Sequence, residues 1–224
     1  MPRLSHPQVC TSTGKTTVLV VDDHPVLRAG LRSLLSGEHD IEVTGDVASG
    51  EDAYRWYRAH RADVVLMDLA MSGYGGMEAL RRILQFDPVA RIIVYSVYST
   101  EVMLNRALAL GALGYVTKCC DVDVLLTGIR EVAQQRGYVS PDMIPVMVRH
   151  RVVPERVPLE QLSDREFQIL LLTAQGQSVS ECAKVLCLSE KTVRNYLTRI
   201  KNKLQAADTA ELTRLAIRMG LTGL

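Results

Sequence analysis

Short apolar runs alternate with amphipathic stretches from Thr17 to Ala133, and this alternation limits the folds that the chain can adopt. The apolar runs predict five strands: Thr17 to Val21, Ile41 to Val47, Val64 to Met67, Ile92 to Tyr95 and Tyr115 to Thr117. A helical pattern follows each strand, because apolar residues recur there at intervals of three and four. Strands joined by helical crossovers form a parallel sheet with helices on both faces. We therefore predict a five-stranded, doubly wound α/β domain over residues 17–139.

The pattern changes after Tyr138, where the stretch YVSPDMIPVMVRHRVVPERVP contains four prolines. Proline disfavours regular helix and favours extended chain, so residues 140–158 are predicted to be a linker. Beyond it no strand pattern returns, and four helices are predicted to begin at hydroxyl caps: Ser163, Ser178, Ser189 and Thr209. The first two caps are each followed three residues later by glutamate, as in a capping box. We expect a small all-α domain over residues 159–224 and a flexible tail over residues 1–16.

The composition and charge exclude several classes of protein. With 47 % hydrophobic and 23 % charged residues, the chain is typical of a globular protein. A net charge of +1 gives no general attraction to nucleic acid or membrane, so any basic surface must be local. No apolar segment approaches the roughly 20 residues of a membrane span, and the N-terminus lacks the apolar core of a signal peptide. We expect a cytoplasmic protein without membrane contact, whose five cysteines, lacking a CxxC pair, are free thiols that bind no zinc.

Acidic and polar residues stand where the predicted strands end. Ligands of open parallel sheets bind beside the carboxyl ends of the strands, so these residues converge on one edge if the fold is right. They are Asp22, Asp23, Asp68, Ser96 and Lys118. Three carboxylates close together repel one another unless a hard cation joins them, and Mg2+ prefers oxygen ligands. The sequence therefore predicts a magnesium site formed by Asp22, Asp23 and Asp68.

One of these carboxylates can act as a nucleophile. With Mg2+ drawing charge away, a carboxylate can attack a phosphoryl group, and Ser96 and Lys118 can bind the phosphoryl oxygens. The run VVLMDLAMSG places Asp68 at the end of a buried strand, which suits a phosphoacceptor. The alternative is that each acid caps a helix or pairs with a nearby lysine, which is the commoner role of a single aspartate. The order of the five residues along the chain favours the phosphoacceptor site.

A basic helix is predicted in the second domain, over the stretch SEKTVRNYLTRIKNKL. Its apolar residues recur at helical spacing and can pack inward: Val193, Leu197, Ile200 and Leu204. The opposite face is basic and polar: Lys191, Arg194, Asn195, Thr198, Arg199, Lys201 and Lys203. A charged helix face is commonly only solvated, but the short helix and tight turn before this one favour a helix-turn-helix, whose second helix enters the major groove of DNA. There Arg and Asn can read base edges while Lys and Thr bind phosphates.

Residues Thr17 to Gln135 resemble a response-regulator receiver domain, through Asp22-Asp23, Asp68, Ser96, Tyr115 and Lys118. The resemblance implies that Asp23, Asp68 and the backbone carbonyl of Ala70 hold Mg2+. It also implies that Asp68 is phosphorylated and that Ser96 and Tyr115 then move inward.

The chain departs from this family pattern at two places. The usual Met-Pro-Gly after the phosphoacceptor is Met71-Ser72-Gly73, which is expected to loosen the loop because serine lacks the fixed φ of proline. The proline that often follows the lysine is Cys119. One interpretation of Cys119-Cys120 is a redox sensor, since a neighbouring cation lowers a thiol pKa; the other, which we favour, is packing in the interior.

Residues 159–224 resemble a LuxR/NarL-type DNA-binding domain, most specifically through Glu190-Lys191-Thr192-Val193. The resemblance implies that Arg194, Asn195 and Thr198 face bases and that the final helix, Thr209 to Met219, forms a dimer contact. The expected DNA contacts are Lys191, Thr192, Arg194, Asn195, Thr198, Arg199 and Lys201.

Together these features identify the chain as a member of the NarL/FixJ family of response regulators, most similar to its GacA/UvrY group. The family implies a transcription factor and not an enzyme: a sensor histidine kinase phosphorylates Asp68, and phosphorylation controls dimerisation and promoter binding. The implied cofactor is Mg2+, and the implied partners are the kinase, promoter DNA, RNA polymerase and a second copy of the chain.

Two alternatives are weighed against this prediction. One is an aspartate-based phosphohydrolase, whose nucleophile is commonly followed two residues later by an acid, where this chain has Ala70. The other is a constitutive DNA-binding protein with a vestigial receiver domain, against which the complete set of acids argues.

Overall fold

The computed structural model describes residues 14–71, 73, 75–145, 159–219 and 221. Residues 14–145 form a parallel sheet with helices on both faces, which we call the sheet domain. Residues 159–221 form a group of α-helices, which we call the helical domain. Most of the predicted tail and the predicted linker from residue 146 lie outside the described residues. Within the described residues, no helix has the length and apolar character needed to cross a membrane.

The sheet contains six parallel strands in the order β2-β1-β3-β4-β5-β6. Their bounds are β1 Thr16–Val21, β2 Ile41–Val47, β3 Val64–Met67, β4 Ile92–Ser96, β5 Gly114–Thr117 and β6 Tyr138–Val139. The predicted doubly wound α/β architecture is confirmed, and the predicted number of five strands is wrong. Strands β1, β3, β4 and β5 lie in the middle of the sheet and are buried on both faces, which explains why they read as continuous apolar runs.

Strand β6 is the one that the sequence did not indicate. The N–H of Tyr138 donates to the carbonyl of Leu113 (3.1 Å), and the N–H of Ser140 donates to the carbonyl of Tyr115 (2.9 Å). A single 3-10 turn, Pro141–Met143, follows, and the side chain of Met143 is fully buried. A strand of two residues is too short to show a periodic pattern, and the prolines after it indicate a linker. Residues 140–143 therefore pack against the edge of the sheet before the chain leaves it.

Five helices cover the two faces of the sheet. Their bounds are α1 Pro25–Ser36, α2 Gly50–His60, α3 Gly75–Phe86, α4 Glu101–Leu110 and α5 Val122–Ala133. The apolar faces of α1 and α5 pack on one side, where Leu35 and Ile129 are fully buried. Helices α2, α3 and α4 pack on the other side, and this apolar core continues without a break into the helical domain.

The helical domain contains four α-helices: α6 Asp164–Ala174, α7 Val179–Val185, α8 Glu190–Leu204 and α9 Thr209–Arg218. Complete capping boxes begin α6 at Ser163 and α7 at Ser178, and the hydroxyl of Ser189 caps α8. The predicted cap of α9 at Thr209 is wrong. Asp208, one residue earlier and in extended backbone conformation, accepts the N–H of Glu211 at 2.7 Å instead, so Thr209 is already the first helical residue.

Candidate functional site

The predicted phosphoacceptor residues meet at the carboxyl edge of the sheet, the edge where the parallel strands end. The N–H of Asp68 donates to the carbonyl of Val21 (2.9 Å), and the N–H of Lys118 donates to the carbonyl of Ser96 (2.8 Å). The hydrogen bonds of the sheet thus continue into the residues that follow the strands. This pairing aligns the ends of β1, β3, β4 and β5 and brings Asp22, Asp68, Ser96 and Lys118 together.

Lys118 joins two of the acids. Its Nζ lies 2.7 Å from Oδ2 of Asp22 and 2.8 Å from Oδ2 of Asp68, and each of these aspartate side chains is only 1 % exposed. Buried carboxylates are costly unless an opposite charge compensates them, so the ammonium group stabilises the pair. One ammonium for two buried carboxylates still leaves an excess of negative charge, which favours a further cation at this edge.

The pKa of Asp68 reflects its burial and the shortage of positive charge around it. Burial raises the pKa of Asp68, against the positive charge of Lys118 and a hydrogen bond from Ala70, which lower it. The N–H of Ala70 donates to Oδ1 of Asp68 at 3.0 Å, while Lys118 contacts Oδ2. The pKa is raised overall, so the ionised form of Asp68 costs free energy that a bound cation would offset.

Asp23 and His24 complete the acidic edge. One donor atom from each of Asp22, Asp23, His24 and Asp68 lies within 4.8 Å of the others. Nδ1 of His24 lies 3.0 Å from Oδ1 of Asp23 and 3.2 Å from Oδ1 of Asp22. Three carboxylates supply the oxygen donors that Mg2+ prefers, so these residues fit the predicted ion. The sequence reasoning missed His24, although this residue directly follows the acid pair; the carbonyl of Ala70 stays a predicted ligand.

Ser96 and Tyr115 are connected through Tyr98. The N–H of Tyr98 donates to Oγ of Ser96 (3.3 Å), and the hydroxyl of Tyr115 donates to the carbonyl of Tyr98 (2.7 Å). Both Ser96 and Tyr115 are fully buried, and burial raises the pKa of Tyr115. A displacement of Ser96 therefore reaches Tyr115 through the backbone of Tyr98. Sequence reasoning missed Tyr98 because it lies in a loop without a periodic pattern.

Only one of the two cysteines after Lys118 packs as expected. Cys119 is exposed, so the prediction of interior packing is wrong for it, whereas Cys120 is half-buried and packs against the apolar core beneath α1 and α5. Both follow β5 in a turn, in which the N–H of Cys120 donates to the carbonyl of Thr117 (3.3 Å). Burial raises the pKa of the Cys120 thiol, which opposes the thiolate form that redox chemistry needs.

Helix α8 presents most of its predicted DNA contacts to solvent. Val193, Leu197, Ile200 and Leu204 are buried, as their spacing predicts. The exposed residues of the opposite face are Lys191, Arg194, Asn195, Thr198 and Arg199, while Thr192 and Lys201 are half-buried. The short helix α7 and a tight turn precede α8. This is the arrangement of a helix-turn-helix, in which the second helix reads DNA.

Lys203 does not belong to this outer face. Its Nζ lies 2.6 Å from Oε2 of Glu166, which is buried in α6, and 2.9 Å from the carbonyl of Gln161. The prediction that Lys203 points outward is therefore wrong. A buried carboxylate needs a cation, and the flexible lysine side chain reaches back to supply it.

Comparison with known proteins identifies both domains. Residues 18–130 match the response regulator receiver domain, and residues 160–216 match the luxR family of bacterial regulatory proteins. Response regulator UvrY of Escherichia coli O6:H1 is 40 % identical over 206 residues, which cover 91 % of this chain and 94 % of that protein. Response regulator GacA of Pseudomonas aeruginosa is 36 % identical over 206 residues, which cover 91 % of this chain and 96 % of that protein.

The fold of both domains also occurs in a solved structure. RcsB from Salmonella enterica serovar Typhimurium, bound to promoter rprA in the presence of the phosphomimetic BeF3−, matches with a TM-score of 0.66. The match covers 94 % of this chain and 100 % of that chain at 23 % identity, so it bears on the fold alone. The sequence relatives are response regulators, and both family matches are to regulatory domains, which removes the phosphohydrolase alternative. The chain belongs to the family of two-component response regulators that join a receiver domain to a LuxR-type DNA-binding domain.

Proposed function

We propose that Asp68 receives a phosphoryl group from a sensor histidine kinase and that this modification controls dimerisation and promoter binding. The position of Asp68 is the observation that carries the proposal. Its carboxylate is buried at the carboxyl edge of the sheet, lies 2.8 Å from Nζ of Lys118, and shares that edge with Asp22 and Asp23. The phosphohistidine of a kinase is the phosphoryl donor that the family implies.

Each residue of the carboxyl edge has a separate role in phosphoryl transfer. A carboxylate oxygen of Asp68 attacks phosphorus, the bond to the donor imidazole breaks, and an acyl phosphate forms on Asp68. Lys118 and the hydroxyl of Ser96 then bind phosphoryl oxygens. When bound by Asp22, Asp23, Asp68 and the carbonyl of Ala70, Mg2+ supplies neutralisation of the phosphoryl charge.

The helical domain is the part of the chain that binds DNA and a second copy. In this proposal α8 enters the major groove, where Arg194, Asn195 and Thr198 face base edges. Phosphates are bound by the remaining predicted contacts: Lys191, Thr192, Arg199 and Lys201. Helix α9, with Ile217 53 % exposed, supplies an apolar contact for a second copy of the chain. Promoter binding implies a cytoplasmic location and RNA polymerase as the partner through which transcription changes.

Labelling by a small phosphoryl donor tests the phosphoacceptor. Wild-type protein is incubated with acetyl phosphate and Mg2+, and the phosphorylated fraction is measured by phosphate-affinity electrophoresis. Asp68→Asn is expected to abolish labelling, because an amide is a poor nucleophile. Asp123→Asn is the matched control, since Asp123 is exposed on α5 and is expected to leave labelling unchanged. Undiminished labelling of Asp68→Asn would contradict the proposal.

A further inference from the structure

The helical domain holds the loop that follows Asp68. Arg165 of α6 donates from Nη1 to the carbonyl of Gly73 (2.5 Å) and from Nη2 to the carbonyl of Leu186, just beyond α7. The N–H of Gly73 donates to the carbonyl of Val185 (3.1 Å). Both backbone polar groups of Gly73 are thus bound by the other domain. Gly73 lies in the loop between β3 and α3, five residues after Asp68.

The same loop has no spare room where it enters α3. A Cβ at Gly76 would lie 1.9 Å from the backbone carbonyl oxygen of Asp68. A Cβ at Gly75 would lie 1.6 Å from Nε2 of Gln168 in α6, and Gly75 also has a φ of +69°. The start of α3 is therefore packed between the backbone of Asp68 on one side and α6 on the other.

A second loop beside Asp68 is held by the same helix. Nε2 of Gln175, which follows the last residue of α6, donates to the hydroxyl of Tyr98 at 3.3 Å. Tyr98 carries the hydrogen bonds that connect Ser96 to Tyr115. The loops after β3 and β4, which flank the phosphoacceptor, therefore both contact the helical domain.

Arg106 of α4 adds further contacts between the two domains, away from the loops after β3 and β4. Its Nη2 lies 2.8 Å from Oδ1 of Asp164, its Nη1 donates to the carbonyl of Leu159 (2.9 Å), and its guanidinium carbon lies 4.5 Å from the ring centre of Phe167. The Arg106 side chain is only 12 % exposed. Removal of a partly buried arginine with several partners leaves those partners unpaired, which costs more than the loss of a surface ion pair.

We infer that Arg165 is a positioning residue for the phosphorylation site, and that by holding Gly73 it opposes addition of a phosphoryl group to Asp68. The inference rests on the proposed role of Asp68. A phosphoryl group brings three further oxygens to the packed loop, so the loop must shift, and the shift breaks the contacts of Gly73. Docking of the helical domain and occupation of Asp68 then weaken each other by the same factor, because linked equilibria are reciprocal.

The affinity of the full-length protein for BeF3− in saturating Mg2+ tests this inference at equilibrium, by calorimetric titration. Arg165→Ala is expected to raise the affinity by about five-fold or more, within the usual range of couplings between sites. Arg165→Lys is expected to give a smaller gain, since a single ammonium lacks the fork that reaches two carbonyls. Arg136→Ala is the control, because Arg136 is exposed and pairs only with Glu131 among its described contacts.

A second variant separates positioning from a general loss of stability. Arg106→Ala releases the same docked state without touching Gly73, so it is also expected to raise the affinity for BeF3−. In the double variant with Arg165→Ala the affinity is expected to rise further only until docking is lost, because an undocked helical domain no longer opposes occupation of Asp68. Thermal unfolding of each variant confirms that it is folded.

Three results would overturn the inference. Equal or weaker binding of BeF3− by Arg165→Ala would show that the hydrogen bond of Arg165 to Gly73 does not oppose occupation of Asp68. An unchanged affinity of Arg106→Ala for BeF3− would show that docking of the helical domain does not oppose occupation of Asp68. Failure of the wild-type protein itself to bind BeF3− would remove the proposed function of Asp68 together with the inference, and it is distinguishable because the control variant would fail as well.

Discussion

Asp68 is a buried carboxylate that has too little positive charge around it. Lys118 divides one ammonium between Asp68 and Asp22, and only the N–H of Ala70 adds a hydrogen bond to Asp68 among the contacts described above. Burial therefore wins, and the pKa of Asp68 rises above its ordinary value of 3.8. The protein keeps an unfavourable charge at this position, which is reasonable for a site that must bind a cation.

This imbalance predicts that Asp68→Asn stabilises the protein at neutral pH in the absence of Mg2+. A carboxyl group whose folded pKa is raised destabilises the folded state once pH exceeds its ordinary pKa, because the unfolded chain ionises more readily. The amide removes this cost and leaves Lys118 paired with Asp22. The urea midpoint of the variant is expected to exceed that of wild type at pH 7, with a gain that shrinks as the pH is lowered toward 3.8. An equal midpoint at pH 7, or a gain that grows on acidification, would contradict this account.

Residues of the edge could be predicted where their place followed from the ends of strands. Asp22, Asp68 and Lys118 each follow an apolar run, so a local pattern was enough to bring them together. Tyr98 and Arg165 could not be found in this way. Their contacts depend on how a loop and a distant helix meet, and no local periodicity encodes such a meeting.

Helix α8 carries its predicted DNA contacts and its structural contacts on different faces. Arg194 is exposed, and its Nη2 lies 2.8 Å from Oε2 of Glu190 in the same helix. Because a surface ion pair of this kind contributes little free energy, Arg194 can leave Glu190 and bind a base. Lys201 is half-buried, whereas Lys203 is bound to Glu166. The sequence predicted the apolar face of this helix correctly, but it could not assign Lys203, because the buried glutamate that attracts it lies 37 residues away.

We expect the basic residues of α8 to differ in their effect on DNA binding. Arg194→Ala should cost about 1–3 kcal/mol on a preferred promoter and reduce the preference over altered sequences, whereas Lys201→Ala should weaken binding to all sequences and lower the salt slope by about 1. Lys203→Ala is the control: it should reduce stability and leave the salt slope unchanged. Fluorescence anisotropy at several salt concentrations, with a promoter fragment selected from genomic DNA, measures all three. Equal loss of sequence preference in the Arg194 and Lys201 variants would contradict the assignment of Arg194 to bases and Lys201 to phosphates.

At the scale of the whole molecule, the two domains form one continuous apolar core while the outer face of α8 stays exposed. The sheet domain therefore does not cover the surface that is predicted to read DNA. It holds the ends of α6 and α7 instead. The order of the domains could be predicted from sequence, but their docking could not, since Arg106 and Asp164 are 58 positions apart and show no pattern that links them.

Docking of this kind predicts that release of the helical domain changes DNA affinity without phosphorylation. Docking leaves α8 exposed but fixes each helical domain to its own sheet domain, which restricts how two copies can place their α8 helices on one duplex. Unmodified Arg106→Ala is therefore expected to bind a selected promoter more tightly than unmodified wild type, by about five-fold or more, and phosphorylation is expected to add less to the variant than to wild type. Arg55→Ala, an exposed arginine of α2 paired with Asp52, is the control. Binding is measured at fixed salt, because contacts of lysine and arginine with DNA release counterions. Identical affinities of the two unmodified proteins would mean that docking does not govern DNA binding.

The strand β6 and the turn after it also determine how far a released helical domain can travel. Met143 is fixed in the sheet domain and Leu159 in the helical domain, with 15 residues between them. A chain extends by at most about 3.6 Å per residue, so the 16 steps from Met143 to Leu159 reach no farther than about 58 Å. One turn of DNA measures about 34 Å. A released helical domain can therefore be displaced by more than one turn of DNA, so docking, and not the length of the tether, restricts where its α8 helix can lie.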